Sequence, residues 1–399
     1  MAEELISPAG LASGRLDVDK CASRLPRICY LANAASSHTA KWVNHFCARG
    51  HEVHVISFED PRGITDRAFI HKLRARTSSN LRYFTASGQV KRIIDEIQPS
   101  LLNAHYAAGY GTLGRLARFH PYILSVWGSD VFDVPLKSPL HRLLIKKNLA
   151  SADEIGSTSQ FMAKHTRRYC DRPITVTPFG VDCNVFAPSN HQVHEPKEFV
   201  IGTVKSLEEK YGIEYLIRCF ALLVSKYKGA RKLRLVIAGD GSLRGKLSRL
   251  ARECGVDELT EFLGAVPHDR VPEVLNRFSV FVALSILDSE SFGVAVVEAS
   301  ACGLPVVISD VPGMGEVVRD GITGLVVRRR DAAAAAEAIS TVIENGKVCK
   351  EMGMAGRNFV MKNYEWSENA GRMERLYRLV LKRSGATTHS RGELTRLNC

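Results

Sequence analysis

The chain has 399 residues, a length that normally divides into two domains, and its 45% hydrophobic and 24% charged residues make a globular composition that excludes wholesale disorder. Its formal net charge of +12 favours anionic partners such as nucleotide diphosphates, lipid headgroups or nucleic acid. The ten cysteines stand singly, with no Cys-x-x-Cys pair, which argues against a zinc finger and for the reduced thiols of a cytoplasmic protein.

Residues 1–24 mix acids, bases and small residues without the apolar centre of a signal peptide, so they read as a disordered tail. No stretch approaches the roughly 18 apolar residues of a membrane span. Basic clusters such as Arg74 with Arg76, Lys146-Lys147 and Arg167-Arg168 lack any accompanying RNA-recognition signature, which sets nucleic acid aside as a partner.

From Arg27 to Ala32 the chain reads as a first strand, followed by a polar loop holding His38, a helix through Cys47 and a second strand from His51 to Phe58. A helix near Val90 leads to a strand ending at His105. Tyr122 to Val126 form another strand, closed by Trp127-Gly128-Ser129-Asp130. A basic amphipathic helix is expected over 138–150, where Leu140, Leu143, Leu144 and Ile145 lie beside Lys146 and Lys147. It could rest on anionic lipid or pack its leucines into the domain. Strands around Ile155 and Ile174 complete a first domain over 25–186, and 187–197, rich in Pro, His and Asn, reads as a linker.

A second alternating series fills 198–364, with strands beginning near Phe199, Leu233, Thr260, Val280, Val306 and Gly324. Two such doubly wound units place their ligands at the carboxyl ends of the strands. A late helix over 365–383 and a polar, disordered tail over 384–399 close the chain.

The stretch that carries chemistry runs from Asp288 to Gly303, between two apolar strands. It reads as a loop entering a short helix near Phe292 or Gly293, with Ser291 as N-cap. A helix start offers free N–H groups and a positive dipole end, and Gly293 removes the side chain that would hold a phosphate away. Glu290 and Glu298 flank it, roughly 12 Å apart along the helix. A phosphate-seeking centre between two hydroxyl-seeking carboxylates has the layout of a nucleotide sugar. Lys205 and Lys210, after the first strand of the second domain, aim two further cations at the same cleft.

This run resembles the Glu-x7-Glu signature of family 4 retaining glycosyltransferases, and Pro178-Phe179-Gly180-Val181-Asp182 through Phe186 resembles that family's exit from its first domain. The resemblance implies an α/β protein of GT-B fold: two Rossmann-like doubly wound domains facing across a cleft, with a C-terminal helix crossing back. It implies a hexosyltransferase moving sugar from a nucleotide-diphosphate sugar to a hydroxyl acceptor (glycan, lipid-linked saccharide or small molecule), without metal or cofactor. By the same resemblance Glu290, with Asp130, falls on the catalytic side, and His105, at the end of its strand, could supply a polar group there in place of the family's usual His. Lys205, Lys210, Phe292, Gly293, Val294, Glu298, Gly239, Val266 and Glu316 fall on the donor, while the place of His38 in the loop after the first strand could turn it to the acceptor. The chain departs from the family at Lys205, where relatives carry Arg, and at Trp127, where they often carry His. Peripheral association with an anionic membrane, at its inner face, would suit a lipid-linked acceptor.

Other readings stay open. Gly109 to Gly114 spells the dinucleotide pattern G-x-G-x-x-G with Asp130 downstream, and Asp288-Ser289-Glu290 imitates a metal-binding Asp-x-Asp. A nucleotide-sugar epimerase would need a similar donor pocket, and a catalytically silent subunit could retain one.

Overall fold

The computed structural model describes residues 25–75, 77, 79–189 and 198–396, the side chains of 386–396 aside. The first sheet holds β1 (Ile28–Leu31), β2 (Val53–Ser57), β3 (Phe69–Lys72), β4 (Leu101–His105), β5 (Tyr122–Val126), β6 (Glu154–Ser157) and β7 (Ile174–Val176). They pair in parallel in the order β3-β2-β1-β4-β5-β6-β7. The second holds β8 (Glu198–Val204), β9 (Lys232–Ala238), β10 (Thr260–Gly264), β11 (Val280–Ala283), β12 (Val306–Ser309) and β13 (Leu325–Val327). These too are parallel, in the order β10-β9-β8-β11-β12-β13.

The central strands are apolar along both faces because helices cover both sides, which is why β1, β2, β4, β5 and β11 are buried at every position. The edge strand β3 escapes that pattern. Its Phe69-Ile70-His71-Lys72 is half-exposed and mixes polar with apolar residues, so it carries no apolar run that would announce it.

Strand order reverses between β1 and β4 in one sheet and between β8 and β11 in the other, and ligands bind where such reversals open a crevice at the strand ends. His38, in the first turn of the helix Ser37–Ala48 and not in the loop expected from the sequence, follows β1, while Lys205 follows β8 and Glu290 follows β11. The residues singled out in the sequence thus stand at the two reversal points.

The closing helix, Trp366–Arg396, returns to the first domain. Ala370, Met373, Leu376, Tyr377 and Val380 bury themselves against Trp42, Val43 and Phe46. It also continues past residue 384, where a disordered tail is expected from the sequence. Propagation adds a hydrogen bond for each residue fixed, so an anchored helix extends through a polar stretch that could not nucleate one. The expected tail at 1–24 and the linker residues 190–197 lie outside the described residues. Two backbone bonds fasten the domains near this crossing, Val181 N–H to Tyr364 O (2.8 Å) and Trp366 N–H to Val181 O (2.9 Å).

The helix is latched by one buried polar knot. Tyr377 Oη accepts from Asn103 Nδ2 at 2.7 Å and lies 3.0 Å from Tyr30 Oη. Tyr377→Phe leaves the Asn103 amide unpaired in the core and should cost about 1–2 kcal/mol. A thermal melt should show the midpoint about 2–4 °C lower, whereas an unchanged midpoint would mean the knot contributes nothing.

Candidate active site

β11 runs out into a loop, and the helix Val294–Ala301 begins only after Gly293, which adopts φ +82 as its N-cap. Ser291 is therefore not the cap expected from the sequence. Its hydroxyl donates to Trp127 O (3.3 Å), binding the loop to the first domain. Only glycine adopts this left-handed turn at low cost, and a Cβ there would also stand 3.1 Å from Met314 Cγ. The turn leaves the first N–H groups of the helix, and its positive end, directed at the cleft. Val294, the first helical residue, is half-buried against the same core.

Beside this helix start the Lys205 ammonium meets Glu290 Oε1 at 2.8 Å, with only 8% and 10% of the two side chains exposed. Tyr211 gathers the second cation. Its ring centroid lies 5.0 Å from Lys205 Nζ and 4.7 Å from Lys210 Nζ, so two like charges share one electron-rich ring. Lys210 O accepts from Ile286 N–H (2.8 Å), which ties the lysine turn to the Glu290 loop. Gly239, at φ +142, lies against this turn so closely that a Cβ would come 1.9 Å from Lys205 O. Val266 packs half-buried on the adjoining core.

Glu298 is buried and paired: its Oε1 lies 2.8 Å from His268 Nε2. That hydrogen bond, chief among the influences on His268, lifts the imidazole above its usual 6.5. Across the cleft, His38 stacks on Phe179 (4.2 Å between centroids, 13° between planes) and meets Trp127 edge-on at 5.8 Å. Burial lowers its pKa to about 4, the charges of Glu298 and Glu290 opposing only in part. The ring is neutral near pH 7. Lys41, one turn further along the same helix, donates to Gly180 O (2.6 Å) and sits 4.3 Å from the Trp366 ring.

Four residues expected in the site do other work. Asp130 is fully buried, and its carboxylate accepts from the N–H groups of Ala107 (2.7 Å), Gly128 (2.8 Å) and Trp127 (3.2 Å), so it shapes the turn at the end of β5. His105 lies beneath Trp127, with ring centroids 4.5 Å apart, and burial lowers its pKa to about 3. It cannot reach the cleft. Phe292 packs its ring into the core beside Tyr364 (5.4 Å) and Phe179 (6.2 Å). Glu316 accepts from the N–H groups of Gln160 (3.0 Å) and Phe161 at a helix start in the first domain, which makes it an interdomain clasp. Among the described residues no group of three His, Cys, Asp or Glu side chains is placed to hold a metal ion.

Known proteins resemble this chain in sequence and fold. The family described as glycosyl transferases group 1 matches residues 188–359, and that described as glycosyl transferase 4-like matches residues 27–159. A D-inositol 3-phosphate glycosyltransferase of Rhodococcus erythropolis is 30% identical over 317 residues, 70% of this chain and 67% of the relative. The chain belongs to the glycosyl transferases group 1, of family 4 type. A GDP-mannose-dependent alpha-(1-6)-phosphatidylinositol monomannoside mannosyltransferase of Mycolicibacterium smegmatis is 28% identical over 73% of this glycosyltransferase and 80% of the relative. Its GT-B fold is also that of sucrose-phosphate synthase from Thermosynechococcus elongatus, with a TM-score of 0.79 at 20% identity over 89% of this chain and 99% of that one. Anabaena HepE in complex with UDP-glucose gives 0.73 at 19% identity over 88% and 99%.

The glycosyltransferase also holds site residues that its sequence did not announce. Tyr211 is flanked by lysine and glycine and looks like any turn aromatic. Lys41 lies inside a helix, and His268 gains meaning only from Glu298, thirty positions away. A positional signal did exist for His268, because Pro267-His268-Asp269 follows β10 at the same end of the sheet as Gly239. Tyr106, just after β4, holds an uncommon φ of +79 with its hydroxyl 2.9 Å from Ser129 Oγ.

The His268–Glu298 pair makes stability depend on pH. The folded pKa is raised, so the contribution is full below about 6.5 and fades as pH climbs through the higher folded value. With half of the imidazole exposed, solvent screening keeps it within about 1 kcal/mol. His268→Ala should lower the melting midpoint more at about pH 6 than at about pH 9, and an equal loss at both would show that the pair is not ionised.

Proposed function

We propose that this glycosyltransferase moves a sugar, with retention of anomeric configuration, from a nucleotide-diphosphate sugar to a hydroxyl acceptor. One observation carries the reading: the Lys205–Glu290 pair, backed by Tyr211 and Lys210, at the mouth of a helix that begins on Gly293. The diphosphate takes over Lys205 and Lys210 and meets the helix start, which frees Glu290 for the hydroxyls of the transferred sugar. Glu298, steadied by His268, receives the ribose. HepE, of the same fold, has been seen with UDP-glucose in place, which supports a donor of this class.

In the transfer the bond from the anomeric carbon to the diphosphate oxygen breaks and a bond from that carbon to the acceptor oxygen forms on the same face. The acceptor proton passes to the departing phosphate. Charge builds on the leaving oxygen, and the two ammonium groups with the helix N–H groups stabilise it where it appears, ordinarily the largest single effect in such a site. Neutral His38, with Trp127 beside it, walls the acceptor side without bringing a competing cation. Lysine charge suffices for this chemistry, so neither metal nor redox cofactor is part of the proposal. The reading assigns the reaction to the cytoplasm, with peripheral contact at an anionic membrane surface if the acceptor is lipid-linked.

Incubation with a panel of nucleotide sugars tests the reading. Release of nucleoside diphosphate should require an acceptor, and Glu290→Ala should lower it by roughly 10²–10³ with the fold intact. Lys205→Arg should be tolerated. Epimerised donor without release would indicate the epimerase, and inertness with every donor and acceptor a silent subunit.

A further inference from the structure

The helix Pro139–Ala150 leaves half of its apolar side chains outside the protein. Ile145 and Leu149 enter the first-domain core, and Asn148 Nδ2 donates to Ala107 O and Thr112 Oγ1, both at 2.9 Å, which fixes the helix in rotation. The opposite edge is then bare. Leu140 is 77% exposed and Leu143 48%, and Leu136, in the turn that leads into the helix, is 80% exposed. The alternatives set by the sequence are resolved by division: one face packs inward and another meets solvent.

Cations surround those leucines. Lys137, Arg142, Lys146 and Lys147 are all exposed, and no acidic residue occurs between Leu136 and Ala150. The Lys146-Lys147 end opens on a cleft of about 560 Å³ whose walls include Tyr169 and Arg172, with Asp171 as its one acid. Arg172 Nε donates to Ala150 O (3.0 Å), and the Arg142 guanidinium lies 6.0 Å from the Tyr169 ring, so helix and cleft form one surface.

We propose that this surface docks on an anionic lipid bilayer, with Leu136, Leu140 and Leu143 in the headgroup layer and a lipid phosphate in the cleft of Lys146, Lys147 and Arg172. Charge chooses the partner. Long flexible cations beside exposed leucines can reach phosphates while their stems lie along apolar chains, the pattern of a helix resting in a membrane interface. Each surface cation adds to the attraction of an anionic leaflet, and salt weakens it. The helix begins at Pro139, after the turn Val134–Leu136 that follows the Trp127–Asp130 segment. The surface goes beyond the transfer reading and does not depend on it.

The test is sedimentation of the full chain with vesicles of phosphatidylcholine, alone or mixed with phosphatidylglycerol, at low and high salt. Wild type should pellet with the mixed vesicles only, and less so at high salt. Joint replacement Lys146→Glu with Lys147→Glu, and separately Leu136→Ser with Leu140→Ser and Leu143→Ser, should each weaken binding by at least about tenfold. All variants should keep wild-type affinity for nucleoside diphosphate, which confirms folding. Loss of diphosphate binding in wild type with vesicle binding intact would overturn the donor reading and leave this one standing. Wild type that stays in solution with mixed vesicles, or a leucine variant that pellets fully, would overturn the docking proposal. So would a wild-type dimer in solution that the leucine variant dissolves, since the face would then belong to a second copy.

Discussion

An ammonium and a carboxylate 2.8 Å apart, each about nine-tenths buried, are an expensive thing to fold around. Removing both charges from water costs several kcal/mol per ion, and their mutual attraction rarely exceeds what well-packed apolar residues of the same volume would supply. Lys205 and Glu290 therefore mark a place where the fold is answerable to something besides stability. Both stand on loops that leave neighbouring strands, β8 and β11, where the order of the second sheet reverses. The Tyr211 ring behind Lys205 and Lys210 moderates the repulsion of the two cations.

The rest of the molecule keeps that pair facing the first domain. Gly128, at φ +135, lets the end of β5 approach the Glu290 loop so closely that a Cβ would stand 2.8 Å from Ser289 O. Ser291 and Glu316 reach across to Trp127 and to the N–H groups of Gln160 and Phe161. Behind them Arg357 donates to Phe186 O (3.1 Å) and Cys183 O (3.3 Å), and the crossing helix returns the end of the chain to the first-domain core. The two domains are thus held at a set separation, with His38, Trp127 and Phe179 as an aromatic wall on the first-domain side. The wall is made by the Trp127 indole with a neutral His38 beside it.

Much of this was legible because strand-end chemistry is local. A charged residue in the loop that leaves the carboxyl end of a buried parallel strand emerges on the cleft side, which pointed to Lys205, one residue after β8, and to Glu290, seven after β11, and a glycine before a short apolar helix pointed to Gly293. Asp130 and Glu316 satisfy the same rule yet serve elsewhere, because what a carboxylate accepts from is decided by backbone N–H groups that only the folded path brings near. His105 emerges from its strand beneath an indole that no spacing rule could put there. His268 and Lys41 escaped notice for the converse reason: their neighbours come from other elements. The edge strand β3 lacked the apolar run that reveals its buried neighbours, and the last helix outran its own composition by growing from an anchored one.

The claim on which all of this turns is that Lys205 exchanges Glu290 for a diphosphate. A crystal structure with nucleoside diphosphate bound tests it most directly. The account predicts the terminal phosphate against Lys205 Nζ and Lys210 Nζ at the Gly293 helix start, with Lys205 parted from Glu290. A phosphate lodged beside Gly109 and Gly111, or an undisturbed Lys205–Glu290 pair with the ligand elsewhere, would contradict it.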